Sequence, residues 1–237
     1  MPSKLVAASV FLIAYTLLIT RKGRPPIVVW TGAALLLALK IVTPSQALGS
    51  LNPNVFGIII GTMVLSDLFI DSNVPAYLAS VTVNRSGTIP RALLSVCILS
   101  AVVSAFIDNV ATVLMIAPIA LEVSKRLRVS PVSFLIGIAV SANLEGAATL
   151  VGDSTSVLLA SAADMTFMDF LWMNSRPGIC FAVQIGAAGA LYVLYLVFRP
   201  NKGKCIPVSQ PTVGSWVPTT LMVLMMLTMA VSSFIPN

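Results

Sequence analysis

The chain has 237 residues, of which 57% are hydrophobic and only 9% are charged. A water-soluble domain of this length does not need so apolar a composition, which is typical of a protein that crosses the membrane several times. The net charge of +6 comes without the aromatic-interleaved basic patches of nucleic-acid-binding proteins, and three cysteines with no CxxC pattern and no histidine beside them exclude a zinc or haem site.

Apolar runs of about 20 residues, the length that spans a bilayer, divide the first third of the chain into elements. The predicted elements are a crossing at 5–20, a second crossing at 27–42, an outer loop at 43–54 with two prolines, and a helix at 55–83 that ends or bends midway. Basic residues after the first crossing outweigh Lys4 before it, so the amino terminus is predicted to lie outside the cell. Because no small-residue cleavage site intervenes, this first helix is predicted to be retained.

Residues 91–122 form an apolar segment with a polar motif, Asp108-Asn109-Val110, in its middle. At about 1.5 Å per residue the segment is too long for one crossing, and each half is too short to cross alone. We therefore predict a re-entrant helical hairpin over 91–124, in which one helix enters the membrane, turns at Asp108 near mid-depth, and a second helix leaves on the same side.

The distribution of basic residues favours this hairpin. With re-entry, the cytoplasmic side collects most of them: Arg21, Lys22, Arg24, Arg85, Arg91, Lys125, Arg126, Arg128, Arg199, Lys202 and Lys204. Lys4, Lys40 and Arg176 lie elsewhere. A full crossing would move Lys125 and the later basic residues outside, against the positive-inside rule.

The rest of the chain is predicted to cross the membrane three more times. The predicted segments are a broken crossing at 132–169, interrupted over 143–156, and continuous crossings at 177–198 and 217–234. The predicted fold is therefore all-α: a polytopic membrane protein with about six transmembrane helices, one re-entrant helical hairpin and one broken helix.

Both interruptions place carboxylates at membrane depth, where a charged side chain costs several kcal/mol and persists only with a function. Where helices break at mid-depth, helix amino ends attract anions, whereas unwound carbonyls and carboxyl ends hold cations. The interruptions around Asp108 and over 143–156 are therefore predicted to bind an ion.

Three segments carry a family resemblance: residues 57–79, the hairpin motif at 104–118 and the motif at 141–153. Together they resemble the ion transporter superfamily, in particular the arsenite permease and sodium/proton antiporter group and citrate-transporter-like domains, and more distantly the sodium-coupled dicarboxylate carriers. The resemblance covers most of the chain and implies two inverted repeats. It makes residues 1–204 an amino-terminal repeat and residues 205–237 a linker with the first helix of an incomplete second repeat.

The resemblance also implies which residues bind the ion. In the dicarboxylate carriers the hairpin tip helps to bind sodium, and Asp108, Asn109 and Val110 stand at the corresponding positions. Ser104 and Gly152 match two further positions of that site, so the implied sodium site is Ser104, Asp108, Asn109 and Gly152. The wider ion or substrate site adds Thr112, Asn143, Glu145, Gly146, Thr149, Asp153 and Ser154.

The second motif departs from that of the relatives in two places. Glu145 replaces the first of two paired glycines, and Ser154-Thr155-Ser156 replaces Pro-Pro-Asn. The first change adds a carboxylate to the site, and the second removes the prolines that end one helix half rigidly.

Three alternatives to an ion-binding role remain open. Asp108 and Asn109 are also suited to cap the following helix, a role compatible with ion binding. Glu145 and Asp153 are alternatively placed in a loop near the membrane surface. Asp67 and Asp71 are assigned to a solvated helix end and left out of the site.

The resulting functional prediction is a secondary transporter half in the cell membrane. It would move an inorganic or carboxylate anion or sodium by alternating access, coupled to sodium or protons, and would use no other cofactor. Its predicted partners are membrane lipid and a second half-transporter chain or a second copy. The alternative is a non-transporting subunit or remnant; an enzyme is not expected, because no nucleophile-and-base pair and no phosphate-binding loop is present.

Overall fold

The structure of the protein is a computed structural model that describes residues 2–20, 24–49, 51–205 and 207–234. Arg21 and Lys22, which contribute to the predicted basic flank, lie outside the described residues. The described helices are α1 (Pro2–Ile19), α2 (Pro25–Ala38), α3 (Pro44–Gly49), α4 (Pro53–Asp71), α5 (Val74–Arg85), α6 (Ile89–Ser104), α7 (Asn109–Leu127), α8 (Pro131–Gly146), α9 (Ser154–Ala162), α10 (Ile179–Phe198) and α11 (Val217–Ser232). The chain is thus mostly helical, as predicted.

Two of these helices have the length and composition of a membrane span. They are α4, with 19 residues, and α10, with 20 residues. Five others are apolar but shorter, among them α2, whose 14 residues extend about 21 Å. That is less than the hydrocarbon thickness of about 30 Å, so the six predicted crossings stay a prediction.

The chain folds as two compact units, residues 1–53 and residues 54–237. In the first unit, α1 and α2 enclose a mainly apolar groove between Val10 and Gly32. The predicted outer loop at 43–54 is wrong in part, because Pro44–Gly49 form α3. Thr43 and Gln46 start this helix as a capping box: each side-chain oxygen accepts the backbone N–H of the other residue, at 3.2 and 3.0 Å.

In the second unit, the predicted interruption of the 55–83 segment occurs at Ser72 and Asn73, between α4 and α5. Asn73 adopts the left-handed conformation with φ of 58°, and Pro75 occupies the first turn of α5. The Ser72 hydroxyl donates to the carbonyl of Phe69 and accepts from the N–H of Val74, so it caps both helices. The predicted helix therefore ends midway.

The main apolar cluster of this unit joins five helix ends. It contains Val83 at the end of α5, Ile89 at the start of α6, Leu127 at the end of α7, Phe134 at the start of α8 and Phe198 at the end of α10. The Phe134 and Phe198 rings meet edge to face, with centroids 6.2 Å apart. We call this the basic end, because Arg85, Arg91, Lys125, Arg126, Arg128, Arg199, Lys202 and Lys204 lie in or beside it. Helices α6 and α7 therefore run antiparallel.

Residues 203–205 and 207–214, which we call the strap, follow α10 without forming a helix. The N–H of Ile89 donates to the carbonyl of Gly203 at 3.3 Å, and the Asn84 side chain bonds both the N–H and the carbonyl of Val208. Further along, the N–H of Gly214 donates to the carbonyl of Ser72 at 2.9 Å. The strap therefore runs along α5 from its carboxyl end to its amino end.

A region without α-helix separates α9 from α10. The predicted broken crossing extended into this region, as far as Asp169. It contains a 3-10 turn at Met168–Phe170 and an antiparallel pair of two-residue strands, β1 (Trp172–Met173) and β2 (Arg176–Pro177). Helix α9 thus ends at Ala162, seven residues before Asp169.

Candidate functional site

The first break lies between α6 and α7, where Ala105–Asp108 form a tight turn. Asp108 is the N-cap of α7, and its Oδ2 accepts the N–H groups of Val110 and Ala111 at 2.9 and 3.1 Å. The capping role that the sequence left open is therefore present. It uses one carboxylate oxygen, and among the described residues no hydrogen bond engages Oδ1.

The second break lies between α8 and α9, at residues 147–153. Helix α8 continues through Asn143 to Gly146, so the break starts later than the predicted interruption. Asp153 caps α9: its Oδ1 accepts the N–H of Thr155 at 3.3 Å and its Oδ2 accepts the Thr155 hydroxyl at 2.9 Å. Both carboxylate oxygens of Asp153 are therefore engaged within their own turn.

The two breaks touch each other, and we call this contact the junction. The Thr149 hydroxyl donates to the carbonyl of Ala105 at the end of α6, and accepts the N–H of Gly152 at 3.1 Å. The Asn109 amide donates to the side-chain oxygen of Asn143. The bond from Thr149 to Ala105 joins residues 44 positions apart and that from Asn109 to Asn143 joins residues 34 positions apart, so the junction is a tertiary contact and not a local turn.

Glycines make this close approach possible. A Cβ atom at Gly152 would lie 2.5 Å from the backbone oxygen of Ser104 and 2.7 Å from that of Gly146. A Cβ at Gly146 would lie 3.3 Å from the Ser104 hydroxyl. Because neither glycine carries a side chain, the backbone oxygens of Ser104 and Gly146 can approach Gly152 closely, and the Ser104 hydroxyl can approach Gly146.

Ser104 is the polar group of the junction that has no partner. Its side chain is fully buried, and among the described residues its hydroxyl makes no hydrogen bond. An unsatisfied buried hydroxyl costs about 1–3 kcal/mol. Thr112 is buried as well, but its hydroxyl donates to the backbone oxygen of Asp108 at 3.1 Å.

Glu145 belongs to a separate contact. Both of its carboxylate oxygens accept hydrogen bonds from the Gln184 amide of α10, at 3.0 and 2.8 Å. Sequence reasoning missed Gln184. The available signal was that Gln184 is an amide within the otherwise apolar α10, where a polar side chain indicates a hydrogen-bond partner or a function.

Most of the predicted site residues thus meet at the junction. These are Ser104, Asp108, Asn109, Thr112, Asn143, Gly146, Thr149 and Gly152. Asp153 and Ser154 begin α9 and bond within its first turn, with Ser154 exposed. Asp67 and Asp71 are exposed on α4.

The described residues hold no cluster of three His, Cys, Asp or Glu side chains suited to a metal centre. Their one ion pair joins Arg126 to Glu122 at 2.8 Å, at the basic end. The polar atoms at the junction are carbonyl, hydroxyl, amide and carboxylate oxygens. Such oxygens are suited to a hard, weakly bound cation.

Comparison with known proteins gives relatives that include uncharacterized transporters, a membrane protein and magnetosome proteins. The chain is 34% identical over 171 residues to an uncharacterized transporter of Mycobacterium bovis, covering 70% of this chain and 40% of the relative. It is 29% identical over 217 residues to the magnetosome protein MamN of Magnetospirillum gryphiswaldense, covering 90% of this chain and 48% of that protein. The P protein of Sus scrofa is 29% identical over 159 residues, or 63% of this chain and 19% of the relative.

The chain therefore spans less than half the length of each of these relatives. No solved structure matches it significantly. The sequence profile of the citrate transporter family matches residues 15–237, which include both breaks and every residue of the junction. The chain belongs to the citrate transporter family.

Proposed function

We propose that the chain is one half of a secondary active transporter and binds its coupling ion at the junction. The observation that carries this proposal is the buried Ser104 hydroxyl, which lies beside Gly146 and lacks a hydrogen-bond partner among the described residues. A bound cation would satisfy its oxygen. The carbonyl oxygens at the ends of α6 and α8 and the second oxygen of Asp108 would complete the set of ligands.

The charges favour a cation over an anion at the junction. The amino ends of α7 and α9 are already capped by Asp108 and Asp153, so they offer little attraction to an anion. The hydrogen bonds and ion pairs of the described residues bring no lysine or arginine to the junction. Sodium or a proton is therefore the proposed coupling ion.

The proposed mechanism follows from the cost of burying Asp108. An ionised carboxylate is expensive to move through a dry environment, whereas a protonated or sodium-paired one is far cheaper. The α6–α7 pair, which we propose to be re-entrant, would therefore move only with its ion bound. That restriction is what couples an ion gradient to alternating access.

A second half is part of the proposal. Asn143 and Ser154 are exposed, and Asp108, Asn109 and Glu145 are only half-buried. Lipid cannot satisfy such groups, and each one left unpaired in hydrocarbon costs several kcal/mol. Another chain or a second copy would cover them and supply the other side of the substrate site. A small carboxylate is the first substrate class to test, because the family is described as citrate transporters.

The substitution Asp108→Asn tests the ion-binding role. Asparagine retains a side-chain oxygen that caps a helix about as well as aspartate, so α7 should stay folded. The charge is lost, and we expect ion-gradient-driven citrate uptake to fall at least tenfold in proteoliposomes that contain this chain and its other half. Membrane insertion and thermal stability should match those of the wild type.

Asp71→Asn is the matched control, because Asp71 is exposed at the end of α4. It should leave uptake unchanged. Gradient-dependent uptake of wild-type size in Asp108→Asn would contradict the coupling role.

A further inference from the structure

A cavity of about 600 Å³ opens at the amino end of α10, whose carboxyl end lies at the basic end. It is lined by α9, the 3-10 turn, the β1–β2 hairpin and the first residues of α10. Its volume falls within the range of about 300–1,000 Å³ that is usual for small-molecule sites. The polar side chains in its lining are Asp169, Asn174 and Arg176.

Local constraints hold the walls of this cavity in place. Asn174 and Ser175 both have positive φ, 49° and 62°, as a two-residue hairpin turn of this type requires. Asp169 Oδ2 accepts both the N–H and the hydroxyl of Thr166 at 2.7 Å, which fixes the preceding turn. Gly178 lies so close to the carbonyl oxygen of Phe170 that a Cβ there would collide with it.

Arg176 is in an unusual position for a basic residue. Every other lysine and arginine of residues 54–237 lies in or beside the basic end, whereas Arg176 lines the cavity at the far end of α10. Basic residues are disfavoured on the outer side of a membrane protein, so Arg176, which the predicted topology places there, calls for a functional explanation. Arg176 is exposed and makes no ion pair within the described part of the chain.

Two helices connect the lining of the cavity with residues near the candidate site, and the predicted topology puts the cavity at their outer ends. Leu159, in its lining, is five residues along α9 from Ser154, and Ile179 is five residues along α10 from Gln184. Five helical residues extend about 7.5 Å. Measured along the helix axes, the lining is therefore close to Ser154 and to Gln184, the partner of Glu145.

We propose that this cavity is an outer vestibule in which Arg176 captures a small carboxylate before it moves to the transport site. The guanidinium group is planar and binds a carboxylate through two parallel hydrogen bonds, and the Asn174 amide adds a neutral donor. The negative charge of Asp169 opposes an anion in the cavity, but the two hydrogen bonds from Thr166 hold its Oδ2 in the preceding turn. The proposal rests on the proposed transport function and adds to it a first binding residue for the small carboxylate.

Citrate binding to the purified full chain in detergent tests this vestibule. Trp172 of β1 directly precedes Met173, which lines the cavity, and packs edge to face on Phe181 with centroids 6.0 Å apart, so its fluorescence should respond to a ligand bound beside it. Trp172→Phe should remove the signal. Arg176→Gln should weaken apparent citrate affinity about tenfold or more, since a hydrogen-bonded charge pair is lost.

The citrate affinity of Arg176→Lys should lie between those of the wild type and Arg176→Gln, because lysine keeps the charge but cannot form the two parallel hydrogen bonds. Arg91→Gln, an exposed arginine at the basic end, is the matched control and should bind as the wild type does. Equal affinity in Arg176→Gln and wild type, or no response to citrate in either, would overturn the vestibule.

The outcome is separable from that of the transport proposal. If Arg176→Gln binds normally while Asp108→Asn loses coupled uptake, the vestibule fails and the transport function stands. If Arg176→Gln loses binding while Asp108→Asn keeps coupled uptake, the coupling role fails and the vestibule stands.

Discussion

At the residue scale, the two capping aspartates differ in what they leave available. Asp153 engages both carboxylate oxygens within the first turn of α9, whereas Asp108 caps α7 through Oδ2 alone. Asp108 therefore serves as a cap and leaves one oxygen that the proposed ion could bind. This difference explains why removal of charge at Asp108, and not at Asp153, is the informative test of coupling.

Gly152 allows a second prediction at this scale. A methyl group on Gly152 would meet the backbone oxygens of Ser104 and Gly146, which have no flexible end that can move aside. Gly152→Ala should therefore destabilise the chain by about 2 kcal/mol, and lower its Tm by about 5 °C. Thermal unfolding in detergent would measure the shift.

Gly61→Ala is the control for this experiment. Gly61 lies in α4 with nothing within 4 Å of an added Cβ, and alanine favours a helix over glycine. Its Tm should be equal to or slightly above that of the wild type. A Gly152→Ala variant as stable as Gly61→Ala would show that the two breaks do not meet as closely as described.

At the element scale, the breaks with local causes could be predicted and those with tertiary causes could not. Asp108 caps α7 through its own neighbours, and Pro75 fixes the first turn of α5, so both interruptions are visible in the sequence. The end of α8 is different. The predicted interruption over 143–156 includes Asn143 and Glu145, but both remain helical in α8 and bond Asn109 and Gln184 from other helices.

The candidate site shows the same division. The types of residue at the junction follow from the sequence, because carboxylates and amides at membrane depth need a function. The contact of Thr149 with Ala105 spans 44 positions and has no local signature. The β1–β2 hairpin and its cavity were missed as well, since two-residue strands are too short to show an alternating pattern.

The strap gives a prediction at the element scale. Asn84 holds it through two hydrogen bonds to the backbone of Val208, at 2.8 and 3.0 Å. Asn84→Leu removes both bonds, at a cost of about 2 kcal/mol. We expect faster trypsin cleavage after Lys204 and faster amide exchange at Val208, whereas the junction should be unaffected.

Asn201→Ala serves as the control for the strap. Within the described part of the chain, the Asn201 side chain bonds only the carbonyl of Phe198, three residues earlier, so its loss should leave cleavage after Lys204 close to the wild-type rate. Equal cleavage of Asn84→Leu and Asn201→Ala would mean that the strap is held by its other contacts, such as that of Arg126 with the carbonyl of Pro207.

At the scale of the whole molecule, the basic end argues for the proposed membrane topology. The start of α6 and the end of α7 share one apolar cluster, and Arg91 and Lys125 lie in those two helix ends. If α6 and α7 together made a single crossing, this cluster would have to be divided between two sides of the membrane. Re-entry keeps it intact and keeps the basic residues on one side.

Single cysteines would test that topology. In a background with Cys97, Cys180 and Cys205 replaced by serine, Arg91→Cys and Lys125→Cys should react with a membrane-impermeant maleimide only from the cytoplasmic side. Ser175→Cys, in the hairpin beside the cavity, should react only from the outside. Labelling of positions 91 and 125 from opposite sides would exclude re-entry. Labelling of position 175 from the cytoplasm would place the vestibule on the inner face, where Arg176 would be one more basic residue under the positive-inside rule.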